Sequence, residues 1–242
     1  MCSLVKRGSI YILTLTGDDD HCLNPDLITK IRSLLSEIRS DAPMSPSCLI
    51  TTAQGKFFSN GFDLAWAKRS STPTTSALQN LNHMVSLFAP LVADLLSLPI
   101  PTIAAVTGHA AAAGFMLAIC HDYVVMRSDR GVLYMSELDI GLPFPPYFVE
   151  IMKAKIGGDS RVLRDVMLRA KKLNGKEAKE MGVVDIVMDD GEKTLKTAVE
   201  LAEELVGRKW NGKVYSSIRM AMFPNLCKCV GLVNREFVPS KL

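Results

Sequence analysis

Pro101-Thr102-Ile103-Ala104-Ala105-Val106-Thr107-Gly108-His109-Ala110-Ala111-Ala112-Ala113-Gly114-Phe115-Met116 is the stretch whose reading decides the fold. It opens as an apolar run that reads as a buried strand through Val106, and it turns at Gly108. It then passes through a tract of alanines into helical spacing from Phe115 to His121. A strand that turns through small residues into a helix leaves the first helical N–H groups without intrahelical acceptors. Small side chains let another group approach them closely. Two readings fit this stretch alone: a tightly packed strand–helix corner, or a place where a carbonyl oxygen is received by main-chain donors.

Outward from it, the pattern is that of an α/β protein. Ser9–Thr16 has strand composition and Gly17-Asp18-Asp19-Asp20 is a turn cluster. Asn24-Pro25 starts a helix whose Leu27, Ile28, Ile31, Leu34, Leu35 and Ile38 recur at helical spacing, and Cys48–Thr52 is a second strand. Strand–helix–strand predicts a parallel sheet. Gln54–Leu64 reads as a loop with a tight turn at Asn60-Gly61, and Ser70–Ser76 as a polar surface loop. A long helix follows from Leu78 to Leu96, in which Pro90 predicts a kink or a break.

Beyond the opening stretch, Tyr123–Met126 reads as a strand, Tyr147–Ile156 and Ser160–Leu168 as helices, and Lys176–Met181 as a short helix. Gly182–Val187 reads as a last strand and Glu192–Leu205 as an amphipathic helix. One more helix is expected from Val214, then an irregular tail. We expect a core domain over 1–190 and a C-terminal helical region over 191–242.

Composition removes several function classes. The chain has 242 residues, 48% hydrophobic and 22% charged, with a formal net charge of +3. That is enough for one large core, and too mild a positive balance for a nucleic-acid footprint, which needs clustered Lys and Arg. The longest apolar region, Ala89–Cys120, is interrupted by Asp94, Pro99, Pro101 and His109, so no membrane span is expected. The N-terminus runs straight into a strand pattern with no signal peptide. Six Cys without paired metal-ligand spacing read as free thiols in a reducing compartment. The chain ends Ser240-Lys241-Leu242, the address read by the peroxisomal import receptor.

Phosphate loops, dinucleotide fingerprints, nucleophile elbows and zinc-helix motifs are all missing from the sequence. His109, inside the small-residue turn, and His121, at a helix end, read as structural or, for His109, equally as catalytic. What remains is a pair of loop-to-helix turns and one acid, Glu137, flanked by Met135, Leu138 and Ile140. Two converging N–H donors make an oxyanion hole, each donor worth about 2.7–4 kcal/mol of transition-state stabilisation. A thioester carbonyl so held makes its α-carbon acidic enough for a carboxylate to deprotonate. Apolar surroundings raise a carboxyl pKa toward the range of a working base. Taken alone, Glu137 also fits a helix N-terminal residue stabilised by the helix dipole.

Phe57-Phe58-Ser59-Asn60-Gly61-Phe62-Asp63-Leu64 and Pro101–Ala110 resemble the two signature blocks of the enoyl-CoA hydratase/isomerase (crotonase) superfamily. The Glu137 segment and Leu173–Asp185 follow in the same order and spacing. The short length and terminal Ser-Lys-Leu resemble the plant peroxisomal Δ3,Δ2-enoyl-CoA isomerases in that superfamily. The resemblance covers roughly residues 8 to 205. It implies a crotonase-like (ClpP/crotonase) spiral of ββα units, an acyl-CoA substrate, no cofactor beyond the CoA carried by the substrate, and a homo-oligomer, trimer or hexamer. It places the oxyanion-hole donors on the N–H groups of Phe62 and Ala113 and the base on Glu137. It also sets Asp63, Leu64 and Ala65 at the adenine end of the CoA site. Phe144, Tyr147 and Phe148 would wall the acyl pocket, with Asp139 a minor candidate for catalysis.

The departure from the family pattern is Met116. Hydratases of the superfamily carry two glutamates, one on the helix after the second donor; here Met116 holds that position and cannot activate water. A 1,3-proton shift needs one base only, so the resemblance implies an isomerase moving a 3-enoyl-CoA double bond to the 2-position. Another CoA-thioester activity on the same fold, a weak hydratase or a hydrolase, is the second reading. A non-catalytic acyl-CoA-binding subunit is the third.

Overall fold

The computed structural model describes residues 1–41 and 45–232. The terminal tripeptide Ser240-Lys241-Leu242 therefore lies outside the described residues. The chain runs β1 (Cys2–Arg7), β2 (Ile10–Leu15), α1 (Pro25–Asp41), β3 (Cys48–Ala53), β4 (Phe57–Ser59), α2 (Leu64–Arg69) and α3 (Ala77–Leu96). It continues with β5 (Thr102–Val106), β6 (His109–Ala111), α4 (Ala113–Ile119), β7 (Tyr123–Arg127), β8 (Leu133–Tyr134), α5 (Pro146–Ile156), α6 (Ser160–Met167) and α7 (Gly175–Glu180). β9 (Ile186–Met188), α8 (Gly191–Gly207), α9 (Gly212–Met222) and α10 (Pro224–Cys229) close it.

Two sheets share these strands. The larger has the order β1-β2-β3-β5-β7-β9, antiparallel only between β1 and β2; the smaller is β4-β6-β8, all parallel. Strands alternate between the sheets: β3 then β4, β5 then β6, β7 then β8, each pair followed by helix. That is the ββα spiral. The five residues of β5 are all buried because both faces are covered. Ala104 and Val106 point into the main core, while Ile103 and Ala105 pack with Ala198, Ala202 and Leu205 of α8 on the other face. The region from residue 191 thus begins with a helix laid directly on the central sheet.

Several expectations change. The segment 54–64 is not all loop: Phe57–Ser59 pairs with His109–Ala111. These strands are too short to show a period, and their partners are distant in sequence. The helix expected from Phe115 starts at Ala113, directly after Ala112 takes a positive φ of 50° that ends β6. Pro90 does not break α3, which is a single helix with Met84, Phe88, Leu91, Val92 and Leu95 buried on both sides of it. Packing on that face outweighs the one lost hydrogen bond. The strand expected over 182–187 narrows to β9, because the N–H groups of Val183 and Val184 turn back to the Ala178 carbonyl at the end of α7. The tail after Phe223 is not irregular up to Cys229: Pro224 takes the first turn of α10, where a missing N–H costs nothing.

Candidate active site

The two loop-to-helix turns meet. Gly61 has φ +83°, and a Cβ on it would fall 3.0 Å from the Ala111 carbonyl oxygen, 3.0 Å from the Ala112 Cβ and 3.4 Å from the Ala113 nitrogen. Gly114 answers from the other side, where a Cβ would fall 2.2 Å from the Ser59 carbonyl oxygen. Glycine at both positions is what lets the turns touch.

Leu23 sets the direction of the first donor. It forms a parallel bridge with Phe62: the Leu23 N–H donates to the Gly61 carbonyl (2.7 Å) and the Asp63 N–H to the Leu23 carbonyl (3.2 Å). Alternation along the chain then turns the Phe62 N–H away from Leu23, and it donates to no acceptor among the described residues. Ala113 is the first residue of α4, and its N–H is likewise without an acceptor among the described residues. Ala112 before it is held by its N–H to the Tyr134 carbonyl (2.9 Å) and by its carbonyl, which accepts from the Met116 N–H (3.0 Å). Its φ of 50° and ψ of −124° belong to a region that alanine occupies at a cost of about 1–3 kcal/mol. Ala112 therefore holds the second turn under strain.

Phe62, Ala112 and Glu137 line one cavity of about 360 Å³. Glu137 lies in a turn well before α5, so it is no helix N-terminal residue. It is 7% exposed, and its Oε2 has no hydrogen-bond partner among the described residues. Burial pushes its pKa up to about 7, against a smaller opposing pull from the backbone N–H groups of Glu137 and Ser136. Among the described residues it is the only ionisable group in the cavity wall. Ala113 itself is fully buried and does not line the cavity, whereas its neighbour Ala112 does. An unpartnered carboxyl in the same cavity wall as Phe62 and Ala112 can take a proton from a carbon next to a carbonyl and give it back.

The other expected site residues divide. Leu64, Phe144 and Phe148 line the cavity; Asp63, Ala65, Met116, Tyr147 and Asp139 do not. Asp63 caps α2, its Oδ1 accepting from the Trp66 N–H at 2.6 Å. Ala65 is exposed in the first turn of α2. Met116, three residues along α4 from Ala113, is wholly buried in the main core. Tyr147 stands behind the wall, donating from its hydroxyl to the Val85 carbonyl (2.8 Å) and packing edge-on against Phe148. Asp139 is exposed.

His109 stacks obliquely on Phe57, and His121 is buried with Nε2 2.8 Å from the Thr51 hydroxyl; burial drives its pKa down to about 4. Both histidines are placed as structural groups. The cavity also has an α3 wall, Leu78, Leu81, Asn82 and Val85, which the sequence shows only as part of an amphipathic helix, since i, i+3, i+4, i+7 spacing is the same for a face turned to a core or to a cavity.

The profile of the enoyl-CoA hydratase/isomerase family matches residues 6–222. The chain belongs to this family. Enoyl-CoA delta isomerase 2, peroxisomal, from Arabidopsis thaliana is 53% identical over 243 residues, covering 100% of both chains. Enoyl-CoA delta isomerase 3 from the same plant is 51% identical over 244 residues, again covering 100% of both. A crystal structure of a probable enoyl-CoA hydratase from Mycobacterium tuberculosis superposes with a TM-score of 0.82 at 24% identity, over 95% of this chain and 91% of that one. That likeness carries the family fold. Among the described residues no group of His, Cys, Asp and Glu is placed to hold a metal ion, and no helix is long and apolar enough to cross a membrane.

Proposed function

We propose that the chain is a Δ3,Δ2-enoyl-CoA isomerase. The Glu137 carboxylate removes a proton from C2 of a 3-enoyl-CoA. The electron pair delocalises over a dienolate whose oxygen is held by the N–H groups of Phe62 and Ala113. The same carboxyl then returns the proton at C4, leaving the double bond between C2 and C3. No atom is gained or lost, and no redox or metal chemistry enters. The observation that carries this reading is Glu137 itself: the one ionisable group in the cavity wall among the described residues, with an unpartnered oxygen. Among the described residues no second acid to activate water lines that wall, and the relatives at 53% and 51% identity are named as isomerases.

By its resemblance to the family, the exposed start of α2, Leu64 and Ala65, with the Asp63 backbone before them, would hold the adenine end of CoA. The setting is β-oxidation of unsaturated fatty acids in the peroxisome. The terminal Ser240-Lys241-Leu242 supports this, as do two Arabidopsis relatives named as peroxisomal. We further take the working form as a homo-oligomer, trimer or hexamer, closed over α9, whose Val214, Ile218 and Met222 form an exposed apolar stripe beside Trp210.

The test is turnover of 3-hexenoyl-CoA followed by the absorbance of the conjugated 2-enoyl product. Wild-type protein produces it and Glu137→Gln does not, while the variant still binds a CoA thioester. No absorbance gain with wild type overturns the isomerase reading, and retained turnover in the variant moves the base elsewhere.

A further inference from the structure

Part of the cavity wall is a packed aromatic cluster: Phe62 and Phe148 are stacked at 6.2 Å between ring centroids, with Phe88 edge-on to both at 5.7 and 6.0 Å. A substrate chain cannot extend through that cluster. Along α3 the wall instead runs out to solvent, where Val85, Leu81 and Leu78 form a stripe that climbs from half-buried to exposed. Leu78, in the first turn of α3, is 59% exposed, and Ile140, which lines the same cavity, is 48% exposed. Single exposed apolar residues are ordinary, but these two continue the lining of one apolar cavity out to solvent. No Lys or Arg interrupts that wall among the described residues.

From Val85 to Leu78 the helix advances about 10 Å at 1.5 Å per residue. An extended chain of single bonds advances roughly 1.2 Å per bond, the zigzag that gives an extended polypeptide about 3.6 Å per three-bond residue. The stripe therefore accommodates about eight methylenes beyond those beside Glu137. We propose that this stripe is an acyl-tail track, and that Leu78 and Ile140 at its mouth select long-chain thioesters, of about twelve carbons or more, over short ones. The assignment rests on the isomerase reading for its substrate class and on the cavity's shape for its selectivity.

Two measurements separate these. Hexanoyl-CoA and hexadecanoyl-CoA, saturated and therefore inert to double-bond migration, are titrated calorimetrically against wild type, Leu78→Asp, Ile140→Asp and a Leu168→Asp control. Leu168 is 68% exposed and lies away from the cavity wall. In parallel, kcat/KM is measured with 3-hexenoyl-CoA and 3-hexadecenoyl-CoA. Wild type is expected to bind the long thioester at least tenfold more tightly. Leu78→Asp and Ile140→Asp each reduce that preference about fivefold or more, through KM rather than kcat, and Leu168→Asp leaves it in place. A wild type without long-chain preference overturns the proposal. So do variants with an unchanged ratio, or a Leu168→Asp control that falls equally. If neither 3-enoyl-CoA is isomerised, the isomerase reading fails while the binding series still decides the track.

Discussion

Gly61 packs against the turn that starts α4: a single methyl added to it would stand 3.0 Å from the Ala111 carbonyl oxygen and from the Ala112 methyl, and 3.4 Å from the Ala113 nitrogen. Gly61→Ala must therefore push the turns apart, and at φ +83° it also strains its own backbone. We expect kcat for 3-hexenoyl-CoA to fall by about 10²–10³, the loss associated with one misplaced oxyanion donor, with the far-UV circular dichroism unchanged. Near-wild-type kcat would show that the Phe62 and Ala113 amides do not act together.

As the proposed base, Glu137 should set an acid limb on activity. With its pKa raised to about 7 by burial, the base is protonated below that pH, so kcat/KM should fall tenfold per unit below about 7 and level off above it. The same shift bears on stability. A carboxyl whose folded pKa exceeds its unfolded value opposes folding once it ionises: the penalty is absent below pH ~4 and complete above about 7. Glu137→Gln should therefore stabilise the protein at pH 8 by on the order of 2 kcal/mol, and by nothing at pH 4. Urea denaturation at both pH values reads the difference, and an equal effect at the two would exclude an ionised Glu137 as its source.

Ala112 stores strain that glycine would release. Relief of about 1–3 kcal/mol, less the roughly 0.5–1 kcal/mol of added unfolded-state freedom, leaves Ala112→Gly about 1 kcal/mol more stable. For a chain of this size that is a rise in Tm of about 2–4 °C. A lower Tm would mean that the alanine methyl's packing outweighs its backbone cost.

α9 is fastened to the core by a buried ion pair. Arg219, 3% exposed, donates through Nε and Nη2 to Asp122, and through Nη1 and Nη2 to the carbonyls of Leu98 and Ile100. Removing the cation leaves the buried Asp122 carboxylate without its salt-bridge partner, held only by the Thr102 and Tyr215 donors and the more distant Lys155, which costs about 3–5 kcal/mol. Arg219→Met should lose that much in urea denaturation at pH 7. Arg219 also holds the Asp122 carboxyl below its usual range against the opposing effect of burial. Wild type therefore keeps this stabilisation above the unfolded Asp value and loses it as pH falls below it. The variant's disadvantage should shrink in acid, and a disadvantage constant with pH would mean packing rather than charge.

If the α9 stripe closes the proposed trimer or hexamer, Ile218→Asp should give a smaller species than wild type in size-exclusion chromatography with light scattering. An unchanged mass would move the interface to another face.

The parts of this molecule legible in the sequence are those with a long period or a distinctive residue. The buried run of β5, the apolar faces of α1 and α8 and the lone acid Glu137 could be read because each has a pattern longer than a turn or a charge in apolar company. The smaller sheet could not. β4, β6 and β8 have three, three and two residues, and what defines them is pairing with segments far along the chain. The strain at Ala112 was not legible, since its φ is fixed by the Tyr134 carbonyl and by α4, not by the residue. The α3 wall was hidden because Leu78, Leu81 and Val85 carry the same spacing whether they face a core or a cavity.

The bridge between Leu23 and Phe62 has a kinetic consequence. The first donor is aimed by Leu23, the second lies against Gly61, and the base arrives on the segment after β8, so the site gathers residues spread over nearly half the chain. Such contacts close late, because each closes a long loop before any is rewarded. A partly folded chain can hold its helices and most of its large sheet and still be catalytically silent. Recovery of turnover after dilution from denaturant should then lag the recovery of helical signal, making activity a reporter of topological completion.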